Sequence, residues 1–224
     1  MKGMSVVFAV FAIIVDSVSP ASAQDVKSAL QEARKKNYVV GERTGNPAEM
    51  RDNVRYAAEK VRAILRQRPE AAIEPDERGF TPLVTAAHYG YAEVVEALLE
   101  SPLVVERIDA KDERGLSAYE TASHMPAQTP WVCVPKIKEN PFAFVPSYVQ
   151  LPYYEEYDPY SKILTALKSK GSAGTPESER MSWLKYCKDA DPEFREKIRT
   201  ENGDLRVQLK AESKRILEAM ANKK

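Results

Sequence analysis

Histidine and cysteine, the residues that most often carry metal or nucleophilic chemistry, are scarce in this sequence. There are two of each among 224 residues. The cysteine spacing matches no metal motif, no serine lies in a nucleophile-elbow pattern, and no glycine-rich loop could cradle a phosphate. We therefore name no catalytic residue, expect neither a metal nor another cofactor, and predict that the protein is not an enzyme.

Net charge is lacking as well. The 33 basic and 33 acidic side chains balance, so composition gives no overall attraction to nucleic acid, and we expect no nucleic-acid partner.

Long apolar runs are also missing, because the run over residues 5–15 is too short to cross a bilayer. It follows Lys2 and precedes the small residues Ala21 to Ala23, which is typical of an export signal. We expect residues 1–23 to be a signal peptide cleaved near Ala23. This predicts a periplasmic protein without a stable membrane anchor. A buried helix or a retained anchor is the alternative.

The two cysteines, Cys133 and Cys187, bear on the same expectation. In an oxidising compartment two cysteines are more often paired than reactive, so we predict a disulfide between them. The alternative is a pair of small buried side chains.

What the sequence does contain is a segment, Asp76 to Leu99, in which most positions have a structural role. Asp76 to Gly79 predicts a tight turn. Thr81 followed by Pro82 is typical of a helix start, and Gly90 suits a left-handed helix end. A second helix then has an apolar face at spacings of three and four: Val94, Val95, Leu98 and Leu99. Such a helix pair needs stacked neighbours to bury both faces.

The segment resembles one ankyrin repeat, and less regular neighbours flank it. Asp112 to Gly115 repeats the D-E-R-G of the first turn, and Ser117 with Glu120 can form a capping box. Val61, Ile64 and Leu65 resemble the last helix of a preceding repeat. The resemblance implies an all-α fold, a short ankyrin-repeat helix-pair stack of about three repeats.

The predicted organisation has three parts after the signal peptide. Residues 24–75 hold N-terminal helices and a capping repeat, with one helix from Asp25 to Tyr38 and a longer one from about Ala48 to Gln67. Residues 76–170 hold the ankyrin-like repeats. Residues 171–224 form a C-terminal helical cap.

Residues 126–159 interrupt the repeats with seven prolines and many aromatic residues. Because proline at this density disfavours a regular helix, we predict an extended loop with a short strand at Trp131 to Val134. The loop is an insertion in a third repeat, whose second helix is marked by Ile163, Leu164 and Leu167. Its rings either bind a partner or fold back over the end of the stack.

Two charged segments have two interpretations each. The helix from Ala48 is either a basic face for an acidic partner or the solvated face of a capping helix. Near the C-terminus, an apolar stripe packs either on its own domain or on a partner coil. The basic residues are Arg51, Arg55, Lys60, Arg62, Arg66 and Arg68, and the stripe is Leu205, Leu209, Ile216 and Met220.

The resemblance implies that a groove made by turn tips and first helices binds another protein. The corresponding exposed positions are Glu77, Arg78, Phe80, His88, Tyr89, Glu113, Arg114, Leu116 and His124. Phe80 and Tyr89 are the expected anchors, because aromatic residues carry much interface energy. The two histidines occupy equivalent places facing the groove, too far apart for one metal ion.

These expectations favour an exported, non-enzymatic protein-binding module. The most concrete hypothesis is an immunity or inhibitor protein that neutralises a toxin, effector or envelope hydrolase by binding it. The first alternative is a scaffold or stabilising factor for a periplasmic enzyme. The second, from another class, is an enzyme that uses carboxylates beside the aromatic loop.

Overall fold

The described part of the chain is helical. The structure, a computed structural model, describes residues 25–37, 46–124, 133, 153–154, 156–190 and 192–200. These ranges hold no strand, which confirms the predicted all-α class. The helices are α1 (Val26–Asn37), α2 (Pro47–Gln67), α3 (Pro82–Tyr89), α4 (Ala92–Leu98), α5 (Pro102–Glu106), α6 (Ala118–His124), α7 (Pro159–Ser169), α8 (Pro176–Tyr186) and α9 (Pro192–Thr200), with a 3₁₀ helix (Pro69–Ala72) after α2.

The helices stack in pairs. Helices α1, α3, α6 and α8 contact one another in that order and form one row, while α2, α4 and α7 form a second row. Each member of the first row also contacts the next partner along the chain, giving the pairs α1–α2, α3–α4, α6–α7 and α8–α9. The part predicted as a C-terminal cap therefore begins with a further helix pair, which extends the first row.

The first helix of the α3–α4 pair begins and ends at the capping residues that the sequence predicts. The hydroxyl of Thr81 accepts a hydrogen bond from the backbone N–H of Val84 at 3.3 Å, and Pro82 occupies the first turn of α3. Gly90 ends the helix with φ 69°, a left-handed conformation that glycine adopts without strain. Ser117 and Glu120 form the predicted capping box at the start of α6.

One continuous apolar core runs through the stack from α1 to α7. In α1 the residues Val26, Leu30 and Ala33, which share one face at helical spacing, are all buried. Ile163, Leu164 and Leu167 are buried on α7, which contacts both α4 and α6. Helix α7 thus occupies the position of the second helix in the pair that α6 begins.

The predicted extended loop is helical at all of its described residues except Asp158. Tyr153, Tyr154, Glu156 and Tyr157 lie in helical turns that lead into α7, and Cys133, within the predicted strand, is also helical. The difference near α7 has a simple cause, because no proline lies between residues 152 and 159. The rest of residues 126–152 lies outside the described ranges, as do the predicted signal peptide and the apolar stripe after residue 200.

A disulfide joins Cys133 to Cys187 at the end of α8. Both cysteines are buried in a small second core with Trp183, Ala190 and Ile198. The insertion is thereby tied covalently to the last described helix pair. In the described ranges we find no membrane-spanning candidate, since each helix is too short or too polar to traverse a bilayer.

Candidate partner-binding surface

The first D-E-R-G turn is built around the carboxylate of Asp76. Its Oδ1 accepts hydrogen bonds from the backbone N–H groups of Arg78 at 2.9 Å and Phe80 at 3.0 Å. Burial by itself would raise the pKa of Asp76, but these two amides and the positive charge of Arg78 lower it below its ordinary value. The carboxylate therefore stays ionised and holds the turn that positions Arg78 and Phe80.

The second D-E-R-G turn has the same geometry. Oδ1 of Asp112 accepts from the backbone N–H groups of Arg114 at 2.9 Å and Leu116 at 3.1 Å. The two turns lie side by side, since a Cβ atom built on Gly79 would stand 2.6 Å from Cγ of Glu113. The repeated tetrapeptide thus places two arginines, one from each turn, on the same surface.

Both of these arginines lie over the ring of Phe80. The guanidinium carbon of Arg78 is 5.0 Å from the Phe80 ring centroid, and that of Arg114 is 4.7 Å from it. Both distances are within the range of cation–π attraction. The ring is half-buried against the apolar core, so its position is fixed from below. We call this group the Arg78–Phe80–Arg114 clamp.

Beside the clamp lies a cleft of about 200 Å³ between α1 and the segment that leads into α3. Glu77, Arg78, Phe80 and Tyr89 all line it. Lys27 of α1 forms an ion pair with Glu77 at 3.1 Å across one side. The cleft brings four of the nine predicted binding residues together and adds α1 to the surface.

Tyr89 contacts α1 through Arg34. The Nη1 atom of Arg34 donates to the Tyr89 hydroxyl at 3.3 Å, and its guanidinium carbon lies 5.1 Å from the ring centroid. The sequence comparison missed Arg34 and Lys27 as site residues because α1 lies outside the two matched repeats. Their position on a helix next to the repeats is the one signal that could have indicated them.

Two of the predicted binding residues are buried, contrary to the expectation of exposure. Leu116 and His124 are 7% and 0% exposed. Helix α8 packs on α6 and covers this part of the first row. The prediction was wrong for these two positions, because α8 continues the first row beyond the two matched repeats. Of the other seven, Glu77, Arg78 and Glu113 are exposed, whereas Phe80, His88, Tyr89 and Arg114 are half-buried.

His124 serves the contact between α6 and α8. Its Nδ1 lies 2.9 Å from the Glu120 carbonyl oxygen and 2.6 Å from Ser182 Oγ, and its ring stacks on Tyr186 at 4.8 Å. Because the carbonyl only accepts, Nδ1 carries the proton. Burial lowers the pKa of His124 to about 4. This histidine is a packing residue and cannot contact a partner directly.

His88 lies near the clamp and remains half-buried. Its Nδ1 is buried and has no hydrogen-bond partner among the described residues. Burial, followed by the positive charges of Arg114, Arg34 and Arg78, lowers the pKa of His88 to about 4. His88 is therefore neutral at pH 7, and three arginines act on it from different elements.

Most of the basic residues on α2 and just after it form ion pairs with acidic side chains of the same chain. This arrangement favours the solvated face of a capping helix over a basic docking face. The pairs are Arg51 with Glu93 at 3.3 Å, Lys60 with Glu32 at 2.6 Å, Arg62 with Glu100 at 2.9 Å and Arg68 with Glu74 at 3.0 Å. Arg55 and Arg66 are exposed.

The tyrosines at the end of the insertion cover the stack. The hydroxyls of Tyr153, Tyr154 and Tyr160 donate to the carbonyls of Gly90, Tyr89 and His88 at 3.3, 3.2 and 3.2 Å. These carbonyls end α3 and would otherwise lack helical partners. For these three rings the structure favours the covering role. The other aromatic residues predicted for the insertion, from Trp131 to Tyr148, lie outside the described ranges.

The chemistry of the surface is that of binding. Within the described ranges, no group of three or more His, Cys, Asp or Glu side chains could hold a metal ion. What the surface offers is a half-buried aromatic ring, two arginines over it and a cleft beside it. Aromatic residues and arginine are the types that carry most interface energy in protein complexes.

Comparison with known proteins identifies the repeats. The family model "Ankyrin repeats (many copies)" matches residues 64–122, from the end of α2 to α6. Neither the curated proteins nor the solved structures gave a match to the chain. The matched segment contains both D-E-R-G turns and the whole clamp. Residues 64–122 are therefore similar to ankyrin repeats, a family of protein–protein interaction modules.

Proposed function

We propose that this protein is exported and binds a toxin or an envelope hydrolase through the surface around Phe80, so that it acts as an immunity or inhibitor protein. The observation that carries the proposal is the Arg78–Phe80–Arg114 clamp. It presents an aromatic ring and two arginines on a rigid stack, beside a cleft. A preformed surface of this kind binds without the entropic cost of ordering loops.

The proposal of export rests on the sequence pattern of residues 1–23 and on the disulfide. Structural disulfides persist in oxidising compartments and are rare in the cytosol. The bond between Cys133 and Cys187 is buried and joins the insertion to α8. Export is tested by cell fractionation and mass spectrometry of the chain. The expected product starts near residue 24 and has no free thiol after denaturation.

Inhibition is tested by deleting the gene in the organism that carries it. We expect the deletion strain to be harmed by the partner and to be rescued by the wild-type protein. Tyr56→Ala should rescue equally, because Tyr56 is an exposed aromatic residue of α2 outside the cleft. Phe80→Ala should fail to rescue. An envelope enzyme that loses activity on deletion, with no harm from a toxin, would instead indicate a scaffold and contradict inhibition.

A further inference from the structure

The clamp arginines are held in place but keep unused hydrogen-bond donors. A guanidinium group has five N–H donors. Arg78 contacts Asp76 through Nη2 alone, at 3.4 Å. Arg114 contacts Asp112 through Nε at 2.8 Å and Nη2 at 2.6 Å. Within the described residues, Nε and Nη1 of Arg78 and Nη1 of Arg114 have no acceptor.

The matching negative charges lie behind the arginines. The side chains of Asp76 and Asp112 are 11% and 0% exposed, whereas those of Arg78 and Arg114 are 69% and 35% exposed. One oxygen of each aspartate is already used by the turn amides. The positive charges of the clamp are therefore exposed to solvent, whereas the negative charges that pair with them are buried.

Other cations flank the clamp. Arg34 lies on one side, against Tyr89, and Lys185 of α8 lies on the other, where its Nζ donates to the Arg114 carbonyl. Exposed acidic groups are present too. Glu77 is paired with Lys27, and Glu113 lies against Gly79. At His88, the charges of Arg114, Arg34 and Arg78 lower the pKa more than that of Asp112 raises it.

We infer that the Arg78–Phe80–Arg114 clamp binds a carboxylate-bearing segment of the partner protein. The inference rests on the proposed function and names the chemistry of the partner. A guanidinium fork matches a carboxylate in bidentate geometry, and the half-buried ring next to the two arginines gives an apolar contact for the methylenes of a Glu side chain. A nucleic acid is the less suitable occupant, because the chain has no net charge.

The inference is tested with a defined probe, an acetylated tetraglutamate peptide, and a tetraglutamine peptide as its neutral control. The protein is expressed from its full sequence, and binding is followed by nuclear magnetic resonance. We expect the Arg Nε–H signals of Arg78 and Arg114 and the amides of Gly79 and Gly115 to shift with tetraglutamate only. The shifts should weaken with added salt, because exposed charges are screened.

Arg78→Gln is the main variant, because Arg78 is the more exposed arginine and its loss leaves the buried Asp112 paired. We expect it to weaken tetraglutamate binding about fivefold, corresponding to about 1 kcal/mol for an exposed ion pair. Arg78→Lys keeps the charge but loses the fork, and should weaken binding by a smaller factor. Arg66→Gln removes an equal charge from α2 and should leave binding unchanged.

Three results would overturn the inference. They are the absence of saturable tetraglutamate binding, equal weakening by Arg66→Gln and Arg78→Gln, and tighter binding of a short single-stranded DNA than of tetraglutamate. None of these touches the proposed function, which is judged on the natural partner. The natural partner separates the two claims. If Phe80→Ala loses it but Arg78→Gln retains it, the surface around Phe80 still binds a protein, but the clamp does not recognise a carboxylate.

Discussion

His124 illustrates how one residue can couple the packing of the stack to pH. Its Nδ1–H is directed at the Glu120 carbonyl and Ser182 Oγ, and its buried Nε2 has no partner among the described residues. A second proton on Nε2 would place an unpaired charge in the core between α6 and α8. Burial accordingly lowers the pKa of His124 to about 4, well below the ordinary value of a histidine.

The expected result is a loss of stability on acidification. The unfolded chain protonates His124 as the pH falls below about 6.5, whereas the folded chain resists this protonation until about pH 4. His124 alone therefore lowers the free energy of unfolding by about 2 kcal/mol between about pH 7 and pH 5. Urea unfolding at several pH values measures this. His124→Gln should flatten the dependence, leaving the parts due to His88 and to carboxylates. An equally steep pH profile in the variant would contradict the assignment.

Gly90 is the second residue whose role can be tested alone. Its φ is 69°, and a Cβ atom there would lie 2.8 Å from Cε1 of Tyr154. Gly90→Ala should therefore combine left-handed strain with overpacking and lower the free energy of unfolding by about 2 to 4 kcal/mol. Denaturant unfolding measures the loss.

Gly171→Ala is the matched control for Gly90→Ala. Gly171 also has a positive φ, 92°, but nothing lies within 4 Å of its Cβ position. The control variant should lose only the part due to strain, about 1 kcal/mol. Equal losses in the two variants would show that the contact with Tyr154 contributes nothing.

At the scale of elements, the end of α3 depends on side chains from far along the chain. Tyr153, Tyr154 and Tyr160 donate hydrogen bonds to its last carbonyls. Burial raises the pKa of Tyr153 and Tyr160 above the ordinary value of tyrosine, so both hydroxyls remain protonated donors. The end of the insertion and the start of α7 thereby take part in the fold of the α3–α4 pair.

Replacing these three tyrosines with phenylalanine tests the role of their hydroxyls. The triple variant keeps the rings and should lose about 1 kcal/mol for each hydrogen bond, about 3 kcal/mol in total. Hydrogen exchange of the α3 amides and urea unfolding both report the change. Tyr56→Phe, at an exposed position on α2, should have no effect. Unchanged stability in the triple variant would mean that the carbonyls are satisfied by water.

The start and end of most helices could be predicted from the sequence because their signals are local. Thr81 with Pro82 and the Ser117 and Glu120 box cap as expected, and Thr175 caps α8 by the same local signal. The helical turns at Tyr153 and Tyr154 could not be predicted, since the contacts that hold them are with α3, more than sixty positions away.

At the scale of the whole molecule, the count of stacked pairs decides which residues a partner can reach. The two D-E-R-G turns are adjacent, as their sequence match implies, and this brings Arg78, Phe80 and Arg114 together. The repeat match predicts Leu116 and His124 on the same surface, because they occupy equivalent positions in the second repeat. Helix α8 nevertheless continues the first row, so both residues are covered.

Helix α1 contributes to the site although the sequence does not predict it there. Its sequence is amphipathic but does not match a repeat, so nothing in it points to the groove. Packing against α3 places Lys27 and Arg34 beside Glu77 and Tyr89. The three clamp residues could thus be predicted from sequence as binding residues. The cleft could not, because it depends on how α1 packs against the repeats.

Affinity capture with matched variants tests the central claim, that the surface around Phe80 binds and inhibits a protein partner. The bait proteins are the wild type, Phe80→Ala and Tyr56→Ala, each checked for helical content by circular dichroism, and the source is a periplasmic extract of the organism that carries the gene. We predict that the wild type and Tyr56→Ala retain the same partner in stoichiometric amount, and that this partner loses its activity in the complex. We predict that Phe80→Ala retains little of the partner. Equal retention by Phe80→Ala, or a partner that stays fully active when bound, would contradict the claim.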